Sequence, residues 1–238
     1  MIAGPDQRAL LLAQEHPGSA ELLVFAAGLL KAQSSMRAAE LSAVAPAARP
    51  VLEFCAEHGP PELAADARGA LAGGFEERVR AYWATGEYDY LARAAVAPYA
   101  RLLRETGRAP ERGVSGSCVF CGGGAWVSSR KTPPGPGTGE GALRILHCAL
   151  CAFTWQVGRI RCPACGEQDP EKLPAFTAPP HEGVRVEACQ SCKTYLKSVD
   201  LTVDARRVPE IDELVALSLD LWAVEQGYER LEPGLAGL

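Results

Sequence analysis

Four Cys-x-x-Cys pairs constrain this chain more than any other feature. They are Cys118 and Cys121, Cys148 and Cys151, Cys162 and Cys165, and Cys189 and Cys192. A turn of this kind places two thiolates on one side of a tight loop, and two such turns on neighbouring hairpins supply four sulfurs at tetrahedral corners. Gly122 and Gly166 directly follow the second cysteine of their pairs, where the backbone commonly needs a positive φ that glycine tolerates. The pairs are separated in turn by 26, 10 and 23 residues. Pairing in chain order then predicts two similar units. Cys118, Cys121, Cys148 and Cys151 would form the first, and Cys162, Cys165, Cys189 and Cys192 the second. An interleaved cross-brace remains an alternative on spacing alone.

Four-thiolate sites suit zinc or a single iron, and spacing does not separate the two. Iron–sulfur clusters usually place three cysteines close together, unlike this chain. A closed four-sulfur shell lacks the open position of catalytic zinc, which argues against a hydrolase. A dithiol oxidoreductase needs one exposed pair on a βαβ frame, and no such frame is legible. The plainest role for all eight cysteines is to staple hairpins too small to hold a core of their own. His147 could substitute as a ligand, but four sulfurs already complete its set. Arg159, Arg161, Lys193 and Lys197 lie close in sequence to the cysteines and are expected to offset thiolate charge.

Cysteine use also speaks to compartment. Disulfides are rare in reducing cytosol, so repeated pairs point to metal or redox chemistry there. The first residues, "MIAGPDQRALLLAQEHPG", lack the basic start and cleavage site of a secretion signal. The longest apolar run, "LLVFAAGLL" at 22–30, is half the length needed to span a bilayer. The expectation is a cytoplasmic protein with no membrane insertion. The ninth cysteine, Cys55, is expected to pack as a small hydrophobe.

Residues 1–112 read as an α-helical domain, rich in Ala, Leu, Arg and Glu with apolar positions at helical spacing. Ser19 is a candidate N-cap, Pro98 is expected to bend a long helix, and the Pro and Gly punctuation suggests five to seven helices in a bundle. Past "GRAPERGVSGSC" the pattern changes to short β-type runs. Two four-cysteine modules are predicted, at 113–158 and 159–206, followed by a C-terminal helix and tail at 207–238. The stretch 132–142, "TPPGPGTGEGA", reads as a flexible surface loop. The stripe Ile211, Leu214, Val215, Leu217, Leu221 and Trp222 is expected to close a core. Between 114 and 205 there are nine basic and eight acidic side chains. Thiolate–metal charge makes that balance more negative still, so no nucleic-acid surface is expected.

The run "LHCALCAFTWQVGRIRCPACG", followed by "EACQSCKTYLKSVD" and "DELVALSLDLWAVEQGY", resembles the formate dehydrogenase accessory proteins of the FdhE family. The likeness covers residues 118 to about 228. It departs from the family pattern in its "CVFCG" opening and in the loop at 132–142, and neither change removes a ligand. The resemblance implies an α+β, multidomain fold: a helical bundle, two rubredoxin-like or zinc-ribbon-like metal modules, and a C-terminal helix. It implies an assembly factor without catalytic residues. Its partner would be the molybdenum- or tungsten-containing catalytic subunit of formate dehydrogenase, and its eight paired cysteines would hold two mononuclear iron or zinc ions. The rival readings are an iron-based electron carrier and, less favoured by charge, a zinc-ribbon nucleic-acid-binding protein.

Overall fold

The computed structural model describes residues 4–110, 118–133 and 141–237. Among them, α-helices come first: α1 (Pro5–Glu15), α2 (Ala20–Ser35), α3 (Val44–Ala47), α4 (Arg49–His58), α5 (Pro61–Ala72), α6 (Phe75–Thr85) and α7 (Tyr90–Glu105). Strands follow: β1 (Ala125–Lys131), β2 (Leu143–Cys148), β3 (Thr154–Val157), β4 (Ala175–Phe176), β5 (Val184–Ala188) and β6 (Thr194–Asp200). The chain ends in α8 (Pro209–Asp212), a 3₁₀ turn, α9 (Leu217–Glu225) and β7 (Glu229–Arg230). This is a mixed fold, helices first and a four-cysteine sheet region after them. The expected boundary at 112 and the centre of the expected loop, residues 134–140, lie outside the described residues.

Backbone contacts divide the chain into two compact units. One comprises Met1–Leu23, Gly124–Ala149 and Thr154–Leu238, and the other Val24–Gly123 and Leu150–Phe153. The first helix therefore belongs with the sheet, where Arg8 of α1 holds Asp212 of α8 by a 3.0 Å bond from Nε.

The helical unit is punctuated by residues that suit helix ends. Pro61 opens α5, and Gly74 and Gly86 flank α6 in the left-handed region. Asp89 caps α7, its carboxylate accepting the Ala92 N–H at 2.9 Å. Pro98 lies inside α7. It has no N–H, so the Ala94 carbonyl one turn back loses its helical donor. The buried Gln33 amide on α2 replaces it, donating to Ala94 O at 2.7 Å. Ser19 directly precedes α2, and its hydroxyl donates to Val215 O at 3.3 Å.

The strands form one sheet in the order β3-β2-β1-β6-β5-β4, with β7 alongside β6. Each half is an antiparallel meander, and the halves join where β1 runs parallel to β6, pairing Val127 with Lys197 and Ser129 with Val199. The two cysteine segments thus follow one topology twice: pair, strand, strand, pair, strand. Alternation along the strands sorts their side chains. Val184, Val186, Ala188, Tyr195 and Val199 pack with Ala216, Leu219, Ala223 and Tyr228. On the opposite face a smaller cluster gathers Ala125, Leu146 and Leu196.

The C-terminal segment departs from the single amphipathic helix expected. It breaks at Ala216, with φ −109° and ψ 42°, between the 3₁₀ turn Glu213–Ala216 and α9. Ile211 and Leu214 are buried, as the stripe predicted, but Leu221 is 53 % exposed. The buried face carries Glu213 and Asp220 instead, because both carboxylates serve a lysine of the sheet.

A candidate two-site metal centre

All four cysteine turns share one conformation. The residue after the second cysteine has positive φ in each: Gly122 at 69°, Ala152 at 56°, Gly166 at 79° and Lys193 at 59°. In three of them the N–H of that residue closes the loop. Gly122 N bonds Cys118 O at 2.9 Å, Gly166 N bonds Cys162 O at 3.0 Å, and Lys193 N bonds Cys189 O at 2.9 Å. The turn directs both sulfurs of a pair to the same side.

The pairs assemble in chain order. Cys118, Cys121, Cys148 and Cys151 form one group and Cys162, Cys165, Cys189 and Cys192 the other, with the sulfurs of each group all within 4.8 Å of one another. Cys118 and Cys151 are 3.7 Å apart at Sγ, as are Cys162 and Cys192, and Cys165 and Cys189. A disulfide needs about 2.05 Å. A tetrahedron with metal–sulfur bonds of about 2.3 Å has edges of about 3.8 Å. The sulfur spacing therefore fits a tetrathiolate ion, and either group could hold one.

The two groups differ in exposure. Every cysteine of the first is buried, whereas Cys165 of the second is exposed and Cys192 partly so. Phe120, inside the first pair, and Phe153, just after the second, stack with centroids 6.4 Å apart beside the first group. In the second group, burial opposes ionisation of Cys192, yet the hydroxyl of Thr194 at 3.0 Å and its N–H draw the thiol down to about 7. Cys165 has the Glu167 N–H to favour its thiolate, but desolvation and bonds among the sulfurs push it up to about 12. One thiol of the set ionises ahead of its neighbours, as expected where four acidic groups share a small volume.

Several neighbours have duties other than those read from sequence. His147 turns away from the sulfurs, with Nε2 2.9 Å from Ser129 Oγ and Nδ1 2.7 Å from Glu210 Oε1. That Ser–His–Glu chain has the residue types of a hydrolytic triad. However, Ser129 is 2 % exposed and sits in a strand paired on both sides, so no substrate can reach it, and the chain clamps α8 to the sheet. Lys197 does not offset thiolate charge. It is 1 % exposed, with its ammonium on the carboxylates of Glu213 and Asp220. Arg230 completes a neutral set of four buried charges, bonding Asp220 at 3.0 Å and Glu213 at 3.2 Å. The Tyr195 hydroxyl donates to Asp220 at 3.0 Å. A period-two pattern in "TYLKSVD", with Lys197 between the inward Tyr195 and Val199, was the available signal for this network.

Fold and geometry define the class: a mixed helical and sheet protein with two four-cysteine groups, each of a size to hold one metal ion. Residues 160–235 match the family model for the FdhE C-terminal domain. A Protein FdhE homolog of Aquifex aeolicus is 35 % identical over 98 residues, 41 % of this chain and 34 % of that protein. One of Pseudomonas aeruginosa is 29 % identical over 284 aligned positions, covering 99 % of this chain and 89 % of that protein. The crystal structure of the FdhE protein from Pseudomonas aeruginosa superposes with a TM-score of 0.68 at 22 % identity, covering 97 % of this chain and 93 % of that one, and so shares the fold. The matches above 30 % identity span only about a third of the relatives' own length. Residues 160–235 are thus similar to the FdhE C-terminal domain, and the chain aligns with an FdhE homolog over nearly its whole length.

Proposed function

We propose that this chain is an accessory factor for a formate dehydrogenase, with one metal ion bound by each cysteine group and a catalytic subunit of the enzyme as its client. The observation that carries this reading is the pair of closed four-sulfur groups in a chain related throughout to FdhE proteins. Cys118, Cys121, Cys148 and Cys151 would hold one iron or zinc, and Cys162, Cys165, Cys189 and Cys192 the other. An ion with four thiolates has no position left for substrate. What the ions supply is a rigid frame, and for iron a one-electron couple. The cysteine turns orient the sulfurs, and the buried charges behind β6 fix the strand that follows Cys192. No helix among the described residues is long and apolar enough to cross a membrane.

The test is the activity of the client enzyme made with and without this protein, together with its content of metal cofactor. The reading predicts a client present as polypeptide but poorly active when the factor is missing. Equal activity and equal cofactor content in the two preparations would overturn it. One observation favours a second reading, an iron-based electron carrier: Cys165 brings a sulfur of the second group to the surface, where electrons could pass to a partner. A reversible iron couple that turns over with a reductase would support that alternative.

A further inference from the structure

Beside the second cysteine group, on the sheet face opposite the buried charges, lies a small cleft of about 80 Å³. Four arginines line it: Arg144 from β2, Arg159 and Arg161 from the link before Cys162, and Arg185 from β5. Glu187 is the single carboxylate among the lining residues. Such a gathering is unusual in a chain of net charge −5, and it contrasts with the even balance of the segment as a whole.

Glu187 shows what the cleft recognises. Its Oε2 accepts from Arg144 Nε at 2.8 Å and from Ser128 Oγ at 3.1 Å, and its Oε1 accepts from Arg185 Nε at 3.1 Å. One carboxylate thus occupies two guanidinium groups. Arg144 also bonds the Arg161 carbonyl at 2.6 Å through Nη1, which places the Arg161 backbone at the rim. The Arg161 side chain is exposed, and its guanidinium lies close to Gly166, beside the Cys162–Cys165 turn. A guanidinium offers five donors in a fixed fork, so Glu187 leaves donors over. Leu173, Pro174, Leu196 and Leu231 form an apolar collar suited to the methylenes of a side chain. The space admits a carboxylate head, roughly the volume of two or three waters.

We propose that this arginine cleft binds a carboxylate on an acidic peptide segment of a partner protein. The inference deepens the client-binding part of the reading above, and it can be tested without that client. Neutralisation of the thiolate site is the simpler role for the arginines, but Arg144 and Arg185 direct their donors to Glu187 rather than to the sulfurs. Phosphate chemistry would favour a wholly polar pocket, which the apolar collar argues against.

The probe is a blocked peptide of glutamates spaced by glycines, titrated into the full-length, metal-loaded protein, with its glutamine counterpart as control. The glutamate peptide is expected to bind, with affinity falling roughly tenfold from low to physiological salt, and the glutamine peptide is not. Arg161→Ser is expected to weaken binding at least fivefold with metal content unchanged, while Arg49→Ser, at an exposed position on α4, has no effect. If Arg161→Ser loses metal, Arg185→Gln with intact metal content serves as the second variant and must show the same weakening. Equal binding of the two peptides, or full affinity in a metal-replete cleft variant, would overturn the proposal. Displacement of the peptide by inorganic phosphate at concentrations where acetate has no effect would also overturn it, in favour of a phosphate site. A cleft that binds the peptide in a protein without effect on formate dehydrogenase would leave this inference standing and remove the functional reading.

Discussion

Arg144 on β2 reaches Glu187 on β5 across two intervening strands, with Nη2 2.7 Å from Oε2. This pair ties the first cysteine segment to the second by side chains as well as by the sheet. Burial disfavours the Glu187 carboxylate, but Arg144 and Arg185 outweigh it and hold its pKa below the ordinary value. A carboxyl lowered on folding contributes stability above its unfolded pKa of about 4.3, and that contribution is lost as pH falls below it. Glu187→Gln, which strands the buried Arg144 charge, is expected to cost about 3–5 kcal/mol at neutral pH. The difference from wild type should shrink in acid, as read by urea unfolding.

The buried lysine gives a second test. Lys197→Met leaves Glu213 and Asp220 with Arg230 alone and is expected to cost about 3–5 kcal/mol. Replacing Lys197 and Asp220 together by apolar residues should recover part of that loss. Losses that simply add in the double variant would show that the two residues do not interact.

Chelation should proceed in two phases. The second group exposes Cys165, while the first is buried throughout, so a competing chelator should take about one ion quickly and about one slowly. Cys162→Ser should abolish the fast phase and Cys148→Ser the slow one. A single phase in wild type would contradict the difference in exposure.

Burial pushes the Cys55 thiol up to about 12. At mildly alkaline pH it should stay silent to a thiol reagent in the folded protein and react once the protein is unfolded. Cys55→Ala should leave metal content unchanged.

Gln33 and Pro98 form a testable couple. Gln33→Leu leaves the Ala94 carbonyl buried without a donor, at a cost of about 1–3 kcal/mol. In a Pro98→Ala background the helix regains its own N–H, and the same substitution should cost less than about 1 kcal/mol. A double-mutant cycle in urea reads the coupling.

The parts legible in sequence were those with short-range signatures. Each cysteine turn is four residues long, so chain order is enough to suggest the two groups the structure assembles. Helix ends were legible for the same reason, as at Pro61, Gly74 and Gly86. Charges paired over long distances were not. Lys197 reads as one more basic residue near cysteines, and only its position between Tyr195 and Val199 hints that it points inward. Glu213 and Asp220 lie outside the apolar stripe that the sequence displays, and their partner Lys197 is supplied by a distant strand. The arginine cleft draws on β2, β5 and the link between the halves, so no local window contains it. The joining of both cysteine segments into one sheet was equally hidden, since β1 and β6 meet across 70 residues of chain.

That parallel junction has a consequence for biosynthesis. As the polypeptide leaves the ribosome, the first meander is complete well before β6 exists, and β1 waits with its hydrogen-bonding edge uncovered. An open edge invites pairing with other chains, and closure over so long a loop is slow. Nascent chains stalled before Thr194 should therefore be the aggregation-prone species, and the arrival of the fourth cysteine pair, immediately ahead of β6, marks the point in translation at which the sheet can seal itself.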